Sequence, residues 1–525
     1  MSPRTSPVLL DGRSLTLLQV EEIAGGRPAA LAPGVEEAVR ASRRVVDDLL
    51  ERGEVAYGLN TGFGRLAHRR IEPHQVRELQ RNLVLSHSAG MGPFLPDAAV
   101  RAMIALRVNA LSRGFSGVRV ELLEALLAML NRGILPRVPS RGSVGASGDL
   151  APLSHVALGL LGEGQVSWRG RVVPAAEALA GEGLAPMVLE AKEGLALING
   201  TQLMTAVGSL ALVRAGRLLR CADAVGGMTV EALMGTDANL EPALHDARPH
   251  PGQRTAAESL RRTLAGSPLI ASHKGCDRVQ DAYSLRCMPQ VHGASREGWR
   301  FAAELLEREI NSVTDNPLVF PETGRVVSGG NFHGAPVALA LDTAAVAMAY
   351  LGTISERRCD RLLAGHEGLP LFLATDPGLH SGFMIAQYTA AALVNENKVL
   401  AHPASVDTIP TSAGQEDHNS HGPTSAHKLE ALVGNLERIL ACEWVCAGQA
   451  LEHRRPLTFG PGTEVALEVL RRVVRPLEGD RPVHPDLEAA RALLEDGTLW
   501  RELEGVLGPR SAPVGAGSVQ VFESP

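Results

Sequence analysis

Aromatic side chains are scarce in this chain. Phenylalanine, tryptophan and tyrosine together make up 3% of the 525 residues, whereas hydrophobic residues as a class make up 45%. Alanine and leucine, which favour helices, are abundant, while strands favour aromatic and β-branched residues. The composition therefore argues against a sheet-rich protein and predicts helices packed through small and aliphatic side chains.

Cysteine is also rare, and its spacing excludes a common use. The six cysteines are scattered along the chain and form no C-x-x-C pair, so no disulfide framework is expected. We expect reduced thiols in a cytoplasmic protein. The cysteines are Cys221, Cys276, Cys287, Cys359, Cys442 and Cys446.

An excess of positive charge and an uninterrupted membrane span are missing as well. The net charge of −7 gives no support to binding nucleic acid or an anionic membrane. The first 15 residues hold no apolar core of signal-peptide length. One uncharged run, 194–213, contains the polar tetrapeptide NGTQ, so we expect a buried helix that begins at a polar turn rather than a membrane span.

Apolar residues that recur every three or four positions predict many helices. Short strands are expected at 8–15 and in two hairpins, one turning at Arg169-Gly170 and one over 318–330. Helices too long for an ordinary globular packing predict a mainly α fold, an elongated bundle that continues across subunits. The helices are predicted from Thr16 and at 35–52, 75–86, 97–113, 118–132, 335–361 and 425–452.

The stretch GSVGASGDLAPL, 142–153, consists largely of small residues, so its backbone can bend sharply. If the Gly148 nitrogen attacks the Ala146 carbonyl carbon, a five-membered ring closes, and loss of water from Ser147 leaves an alkene. The product is a methylidene-imidazolone, a strong electrophile made from protein alone. The tripeptide by itself is an ordinary turn sequence. Asp149 is expected to cap the helix that follows.

Three other segments carry candidate functional residues, each with a plainer alternative. Tyr57 lies in the glycine-punctuated loop YGLNTGFG, which suits a mobile lid or a structural turn. His87 falls at a helix end, where a cap or a core role is the alternative. The loop 410–422 concentrates carboxylates and imidazoles, but no metal-ligand spacing supports a metal site there.

These segments together resemble the aromatic amino acid ammonia-lyase family, and most closely its histidine ammonia-lyases. The resemblance runs in the family order from about residue 8 to about residue 455. The matching stretches are YGLNTGFG, LVLSHSAG, GSVGASGDLAPLSH, ING, VQDAYSLRCMPQVHG, EINSVTDNPLVF, SGGNFHG, ISERR and ENKVLAHPASVDTIPTSAGQEDH.

The resemblance implies an L-aspartase/fumarase-like helical architecture and a homotetramer whose active sites are shared between subunits. It implies a methylidene-imidazolone formed autocatalytically from Ala146, Ser147 and Gly148, with no metal and no diffusible cofactor. The reaction would be a carbon–nitrogen lyase step, the elimination of ammonia from L-histidine to give trans-urocanate. That step begins histidine degradation.

Site roles follow from the resemblance, position by position. Tyr57 would be the base that removes the β-proton, which requires the site to favour phenolate over phenol. Asn199 and Tyr283 would hold the ring and the amine. Arg286 would clamp the substrate carboxylate. Phe332 would line the pocket, and Gln290 would give polar support from the same segment as Tyr283.

Histidine specificity is predicted from two positions. His87 and Glu416 can hydrogen-bond both imidazole nitrogens, and a phenyl ring would leave these groups unpaired at a cost of about 1–3 kcal/mol each. Where relatives that act on histidine commonly read QEDHVSMG, this chain reads QEDHNSHG, with Asn419 and His421. The change bears on tuning around the site rather than on substrate identity, and the roles of His418 and His421 stay open.

The sequence contains no internal repeat and no linker long enough to separate independent domains. We expect an N-terminal region, 1–200, that carries the lid loop and the Ala-Ser-Gly tripeptide. A long-helix bundle and oligomer core would span 201–505, and a disordered tail would span 506–525.

Two alternatives to the lyase stay open. A histidine 2,3-aminomutase of the same family would use the same electrophile and return the amine to the β-carbon. A catalytically silent binding or scaffold protein would lack the near-ultraviolet chromophore of that electrophile and would carry damaged site motifs, and no damage is seen.

Overall fold

The N-terminal third of the chain is a layer of short helices joined by small sheets. The structure, a computed structural model, describes residues 6–56, 58–62 and 69–508. The helices of this layer are α1 (Leu17–Ala24), α2 (Val35–Glu51), α3 (Val76–His87), α4 (Asp97–Leu111), α5 (Val120–Asn131), α6 (Leu150–Leu160), α7 (Ala175–Gly181) and α8 (Glu193–Ile198).

This layer contains three small sheets, and a fourth lies later in the chain, in the hairpin at 318–327. The strands are β1 (Val8–Leu10), β2 (Ala29–Leu31), β3 (Met91–Phe94), β4 (Leu135–Pro136), β5 (Pro139–Arg141), β6 (Gln165–Trp168), β7 (Arg171–Pro174), β8 (Leu318–Phe320) and β9 (Arg325–Val327). The first pair, β1 and β2, is parallel, while β3 pairs with β5 and β8 with β9 antiparallel. The remaining three form one sheet in the order β4-β6-β7.

The rest of the chain is a bundle of long helices with shorter ones around it. Its elements are α9 (Gln202–Ala232), α10 (Pro242–Asp246), α11 (Pro251–Thr263), α12 (Pro268–Ser272), α13 (Tyr283–Arg286), α14 (Met288–Glu309), α15 (Ala335–Leu363), α16 (Met384–Leu400), α17 (Gly422–Glu452), α18 (Pro461–Arg471), α19 (His484–Glu495), α20 (Thr498–Glu502) and α21 (Glu504–Leu507).

Three of the long helices, α9, α15 and α17, run parallel. Their beginnings meet at Met204, whose sulfur would lie 2.5 Å from a β-carbon at Gly334 and 2.4 Å from one at Gly422. Toward their other ends, Glu443 of α17 accepts hydrogen bonds from Thr229 of α9 and Arg358 of α15. Helix α14 returns antiparallel. The bundle therefore has a beginning, at the start of α9, and a far end, where α9 stops.

The helices predicted from periodicity are confirmed with boundaries that differ by at most a few residues. Thr16 caps α1 in a capping box with Gln19, and both predicted hairpins form. The run 194–213 is buried, as predicted, but it is two helices broken at the polar tetrapeptide. The fold is mainly α. The predicted tail begins inside α21, and residues 509–525 lie outside the described residues.

One helix among the described residues, α15, has the length and apolar composition of a membrane span. Of its most apolar 18-residue window, 67% is buried within the fold. Buried residues of α15 pack against α14 and α17, which is the behaviour of a core helix.

Candidate active site

The small-residue stretch forms a tight loop at the beginning of the bundle. Gly148 has φ +75° and pairs with Gly200, where a β-carbon would lie 2.2 Å from the Gly200 oxygen. Gly145 has φ +67°, and a β-carbon there would lie 2.2 Å from Ser420 Oγ. Both positions therefore strongly favour glycine.

Asp149 closes this loop, but not as the sequence predicts. It precedes α6, and its side chain makes no cap hydrogen bond to that helix. Instead the fully buried carboxylate accepts from the backbone amides of Leu203 and Met204, the first turn of α9, and from the Ser143 hydroxyl at 3.1 Å. Asp149 therefore takes the predicted N-cap position of α6, but its side chain caps α9 instead, because α9 offers the buried carboxylate two amide donors. Burial raises the pKa of Asp149 to about 7, although these hydrogen bonds act to lower it.

Four helices begin around the same loop. The first residue of α6 follows Asp149 directly, and α9 starts at its carboxylate. The residue before α17, His421, donates its backbone N–H to the Val144 carbonyl at 3.0 Å, and α15 begins beside Ser420. Because a helix N-terminus carries partial positive charge, the loop lies in a field that favours negative charge.

Asn199 occupies the break between α8 and α9. Its backbone carbonyl accepts a hydrogen bond from Nη1 of the buried Arg107 at 2.8 Å, and the same nitrogen donates to Gln202 and to the Thr314 carbonyl. The side-chain oxygen of Asn199 is buried and has no hydrogen-bond partner among the described residues. An unpaired acceptor therefore lies one residue from the Gly148–Gly200 contact.

Glu416 reaches the tripeptide 146–148 from the turn 410–422. Its Oε1 accepts from Ser147 Oγ at 3.2 Å, and its Oε2 accepts from Thr411 Oγ1 at 2.7 Å. Residues 269 positions apart in sequence thus meet through side chains. The carboxylate is held on both oxygens, with one of them directed to Ser147.

His87 is the last residue of α3 and lies near Glu416. Its Nδ1 donates to the Leu83 carbonyl at 2.9 Å, since a carbonyl can only accept, and Nε2 is thereby left as an acceptor in the neutral ring. Burial lowers the pKa of His87, and the smaller effects of Leu83 and the Glu416 carboxylate oppose this. At neutral pH the ring is therefore uncharged.

The residues after Glu416 tie its turn to the rest of the site. Asn419 is 1% exposed, and its Nδ2 donates to the Ile409 carbonyl just before the turn, while Ser420 Oγ donates to the Gly145 carbonyl at 3.2 Å. His418 accepts through its backbone oxygen from His333 Nε2. His421 has φ +52°, and its Nε2 is buried without a partner among the described residues.

Phe332 lies just before α15 and is half-buried. Two residues later, Gly334 packs against Met204 and Ser420, which border the small-residue loop. The intervening His333 contacts the Glu416 turn. The structure thus brings the Phe332 segment to the same end of the bundle as Ser147.

Tyr283, Arg286 and Gln290 lie at the far end of the bundle. Tyr283 is 71% exposed, and the Arg286 guanidinium lies 4.8 Å from the centre of its ring. Arg286 Nε and Gln290 Oε1 are buried without partners in the described part of the chain. Met288, which lies between Arg286 and Gln290 in the sequence, packs against Gly226, near the end of α9. Within one chain these residues are not brought to Ser147.

Tyr57 lies outside the described residues. The next residue, Gly58, has φ +77° and packs against Leu195 on α8, the helix that leads into Asn199. Asn60 accepts from the Ala56 amide, which closes the described part of this loop.

Sequence reasoning missed Thr411 and Arg107 as site residues. Thr411 carries no motif of its own, and Arg107 lies in the middle of an apolar helix, where a lone buried arginine is the only signal. Within 6–56, 58–62 and 69–508, no three histidine, cysteine, aspartate or glutamate side chains come together as a metal site.

The chain matches a known enzyme family over most of its length. The family model described as aromatic amino acid lyase matches residues 15–472. A histidine ammonia-lyase of Gloeobacter violaceus is 54% identical over 507 residues, which are 96% of this chain and 99% of that protein.

Solved structures share the fold over nearly the whole chain. Histidine ammonia-lyase from Trypanosoma cruzi superposes with a TM-score of 0.90 at 44% identity and covers 97% of both chains. Tyrosine aminomutase from Streptomyces globisporus superposes with a TM-score of 0.91 at 38% identity, over 95% of this chain and 99% of its own.

Proposed function

The chain belongs to the aromatic amino acid lyase family, and from that premise we propose that it is a histidine ammonia-lyase. It eliminates ammonia from L-histidine and releases trans-urocanate, the first step of L-histidine degradation. The observation that carries this assignment is the carboxylate of Glu416 beside Ser147, with the neutral His87 nearby.

The residues at 146–148 fit the protein-derived electrophile of this family. Ring closure needs the Gly148 nitrogen close to the Ala146 carbonyl, and the positive φ of Gly148 with its contact to Gly200 supports such a bend. Ser147 supplies the hydroxyl that is lost as water. The methylidene-imidazolone so formed supplies an electrophile that withdraws electrons from the substrate amine.

The remaining residues of this end of the bundle hold the substrate and its charge. The unpaired Asn199 oxygen suits an N–H donor, and the helix N-termini around the loop stabilise negative charge that develops there. Tyr57 is assigned as the base for the β-proton. That role requires the site to favour its phenolate form.

Substrate choice rests on the pair of acceptors, Glu416 and His87. Glu416 is a carboxylate, and the neutral His87 ring offers Nε2 as a second acceptor. A protonated imidazole presents two N–H groups, one for each of these acceptors, whereas a phenyl ring presents no donor and a phenol presents one O–H. Phe332 supplies an apolar wall from the segment before α15.

Tyr283, Arg286 and Gln290 are assigned to the substrate carboxylate and the ring, but from another copy of the chain. Along α9, the position of Gly226 beside Met288 is about 36 Å from its first residue at 1.5 Å per residue. One histidine molecule cannot contact both ends, so the site takes these three residues from a neighbouring subunit.

Exposed apolar side chains on α15 and α16 support that assembly. Leu339 and Tyr350 on α15, and Ile385 and Tyr388 on α16, are each more than half exposed, which is unusual for several large apolar side chains. We propose a homotetramer, the assembly that the family resemblance implies, in which the long helices pack against those of neighbouring copies.

A cytoplasmic location agrees with the cysteines, all six of which are unpaired thiols. The electrophile comes from residues 146–148, so the proposal requires no metal and no diffusible cofactor. The division of the chain at residue 200 remains a prediction. It separates the layer that carries the loop from the helices that build the oligomer core.

The experiment is product analysis of the purified chain with L-histidine. Urocanate as the main product supports the lyase, whereas β-histidine as the main product would establish the aminomutase. The aminomutase outcome is included because a solved tyrosine aminomutase shares this fold. No product from L-histidine, L-phenylalanine or L-tyrosine would contradict both.

A further inference from the structure

A chain of hydrogen bonds runs through the turn that carries Glu416. The backbone closes the turn first, because Thr411 N–H donates to the Glu416 carbonyl at 2.9 Å and Glu416 N–H returns to Thr411 at 3.3 Å. Residues 412–415 at its tip are exposed. Backbone pairing fixes the turn, but it does not fix the direction of the Glu416 side chain.

Thr411 sets that direction. Its hydroxyl donates to Glu416 Oε2 at 2.7 Å, which leaves Oε1 for Ser147. The only hydrogen of a hydroxyl is used in this bond, so any further group that meets Thr411 Oγ1 must be a donor.

Asn419 is that donor. Its Nδ2 lies 3.2 Å from Thr411 Oγ1 and also meets the Ile409 carbonyl at 2.5 Å. Since a carbonyl can only accept, the amide orientation is fixed, with nitrogen toward the turn. Asn419 N–H is held in addition by Thr408 Oγ1 at 2.7 Å.

We infer that Asn419 and Thr411 are positioning residues for substrate recognition, which aim the Glu416 carboxylate at the imidazole of L-histidine. The inference rests on the proposed function. Asn419 orients the Thr411 hydroxyl, Thr411 holds Oε2, and Oε1 is thereby presented to the space beside Ser147. This gives a role to the asparagine by which the chain departs from its relatives.

The test replaces the hydroxyl without changing the shape of residue 411. Thr411→Val raises KM for L-histidine and the inhibition constant of urocanate about tenfold, because a hydrogen bond to a charged group is lost. The kcat changes less, since Glu416 binds substrate and transition state alike. Asn419→Leu acts in the same direction, with a smaller effect because the Thr411 hydroxyl remains.

Two comparisons separate positioning from general damage to the turn. Thr411→Ser keeps the hydroxyl, and its KM stays within about twofold of the wild-type value. The exposed control change Asp417→Asn has an equally small effect on KM. In a Glu416→Gln background, Thr411→Val adds little, because interacting residues are not additive. The near-ultraviolet absorbance of the electrophile is unchanged in all variants.

An unchanged KM and urocanate inhibition constant in Thr411→Val, with a wild type that makes urocanate, would overturn this inference alone. So would an equal effect of Thr411→Val in the wild-type and Glu416→Gln backgrounds. A wild-type chain that makes no urocanate would overturn the proposed function and this inference with it.

Discussion

A methyl group cannot be added at residue 148 without moving the backbone of residue 200. The nearest atoms to a β-carbon at Gly148 are backbone atoms, at 2.2–2.8 Å, and φ is +75°. We expect Gly148→Ala to abolish both the electrophile absorbance and urocanate formation, because the loop can no longer approach Gly200. Absorbance spectra and urocanate rates of the purified variant measure this.

The control for backbone strain is Gly133→Ala. Gly133 also has positive φ, +66°, but a β-carbon there meets nothing within 4 Å. It carries the left-handed penalty of about 1–2 kcal/mol without a clash. If Gly133→Ala lost the electrophile as completely as Gly148→Ala, contact with Gly200 would not be the reason.

Asp149 gives the fold a defined pH dependence. Its pKa is raised from 3.8 to about 7 by burial, so the folded state holds a proton that the unfolded state releases. Its contribution to stability is full below pH 4 and is lost as pH rises through 7. Relative to Asp149→Asn, the wild type loses on the order of 2 kcal/mol of unfolding free energy between pH 5 and pH 8.

Thermal unfolding of both proteins across that range measures the difference. Asparagine occupies the same space and keeps an acceptor for the α9 amides, so the variant removes the titration rather than the contact. A stability difference that stays constant from pH 5 to pH 8 would show that Asp149 does not titrate there.

At this scale the sequence reveals which residues matter more readily than what they touch. The small-residue stretch and Glu416 stand out by motif, and they do meet. The partner of Asp149 does not follow from the sequence, because a carboxylate before one helix caps another that starts 53 residues later. Thr411 is recognisable only through its contact.

Among the helices, an ion cluster fixes the register of the bundle. Glu443 of α17 and Arg358 of α15 are both fully buried and meet at 2.5 Å, and Glu443 also accepts from Ser355 and Thr229. Beside them His292 of α14 meets Asp223 of α9. The cluster ties four helices together, and the starts of three of them, α9, α15 and α17, surround the proposed site.

Glu443→Gln leaves the Arg358 charge buried without its counter-charge. We expect a loss of about 3–5 kcal/mol in unfolding free energy, since a buried ion pair broken on one side exposes the full desolvation cost of the other. Denaturant unfolding measures it. The exposed pair of Glu36 and Arg40, 3.7 Å apart, provides the comparison.

Glu36→Gln changes stability by less than about 1 kcal/mol, as is usual for exposed pairs. Equal losses in Glu443→Gln and Glu36→Gln would mean that the buried cluster does not hold the bundle.

Periodicity predicts the helices of this chain well, because their apolar stripes face a core. The predicted start of a buried helix at the polar turn 199–202 is confirmed, since α9 begins at Gln202, but the short helix α8 before that turn is not predicted. No local pattern marks which helix ends converge, since that depends on the parallel packing of α9, α15 and α17.

At the scale of the whole molecule, the proposed site needs residues that lie at opposite ends of the bundle in one chain. Ser147, Glu416 and His87 lie at the beginning of the bundle, and Arg286 and Tyr283 lie at its far end. A chain with Ser147→Ala and a chain with Arg286→Ala should each be inactive alone. Co-expressed, they should regain activity at about a quarter of the sites if copies assemble at random.

Co-expression of the two variants restores activity only if different copies of the chain supply Ser147 and Arg286 to one site. Restored urocanate formation in co-purified heteromers supports shared sites, and size-exclusion chromatography with light scattering checks that the mixed species is a tetramer. Activity that stays at the level of the single variants would place each site within one chain. In the sequence, only the family resemblance predicts that active sites are shared between subunits. The spacing of the residues does not reveal that Ser147 and Arg286 lie at opposite ends of the bundle.

The most direct measurement follows urocanate and ammonia together, for the wild type and for Ser147→Ala, with L-histidine as substrate. The account predicts equal amounts of the two products from the wild type and none from Ser147→Ala. Urocanate formed at the wild-type rate by Ser147→Ala, or no urocanate from the wild type, would contradict it.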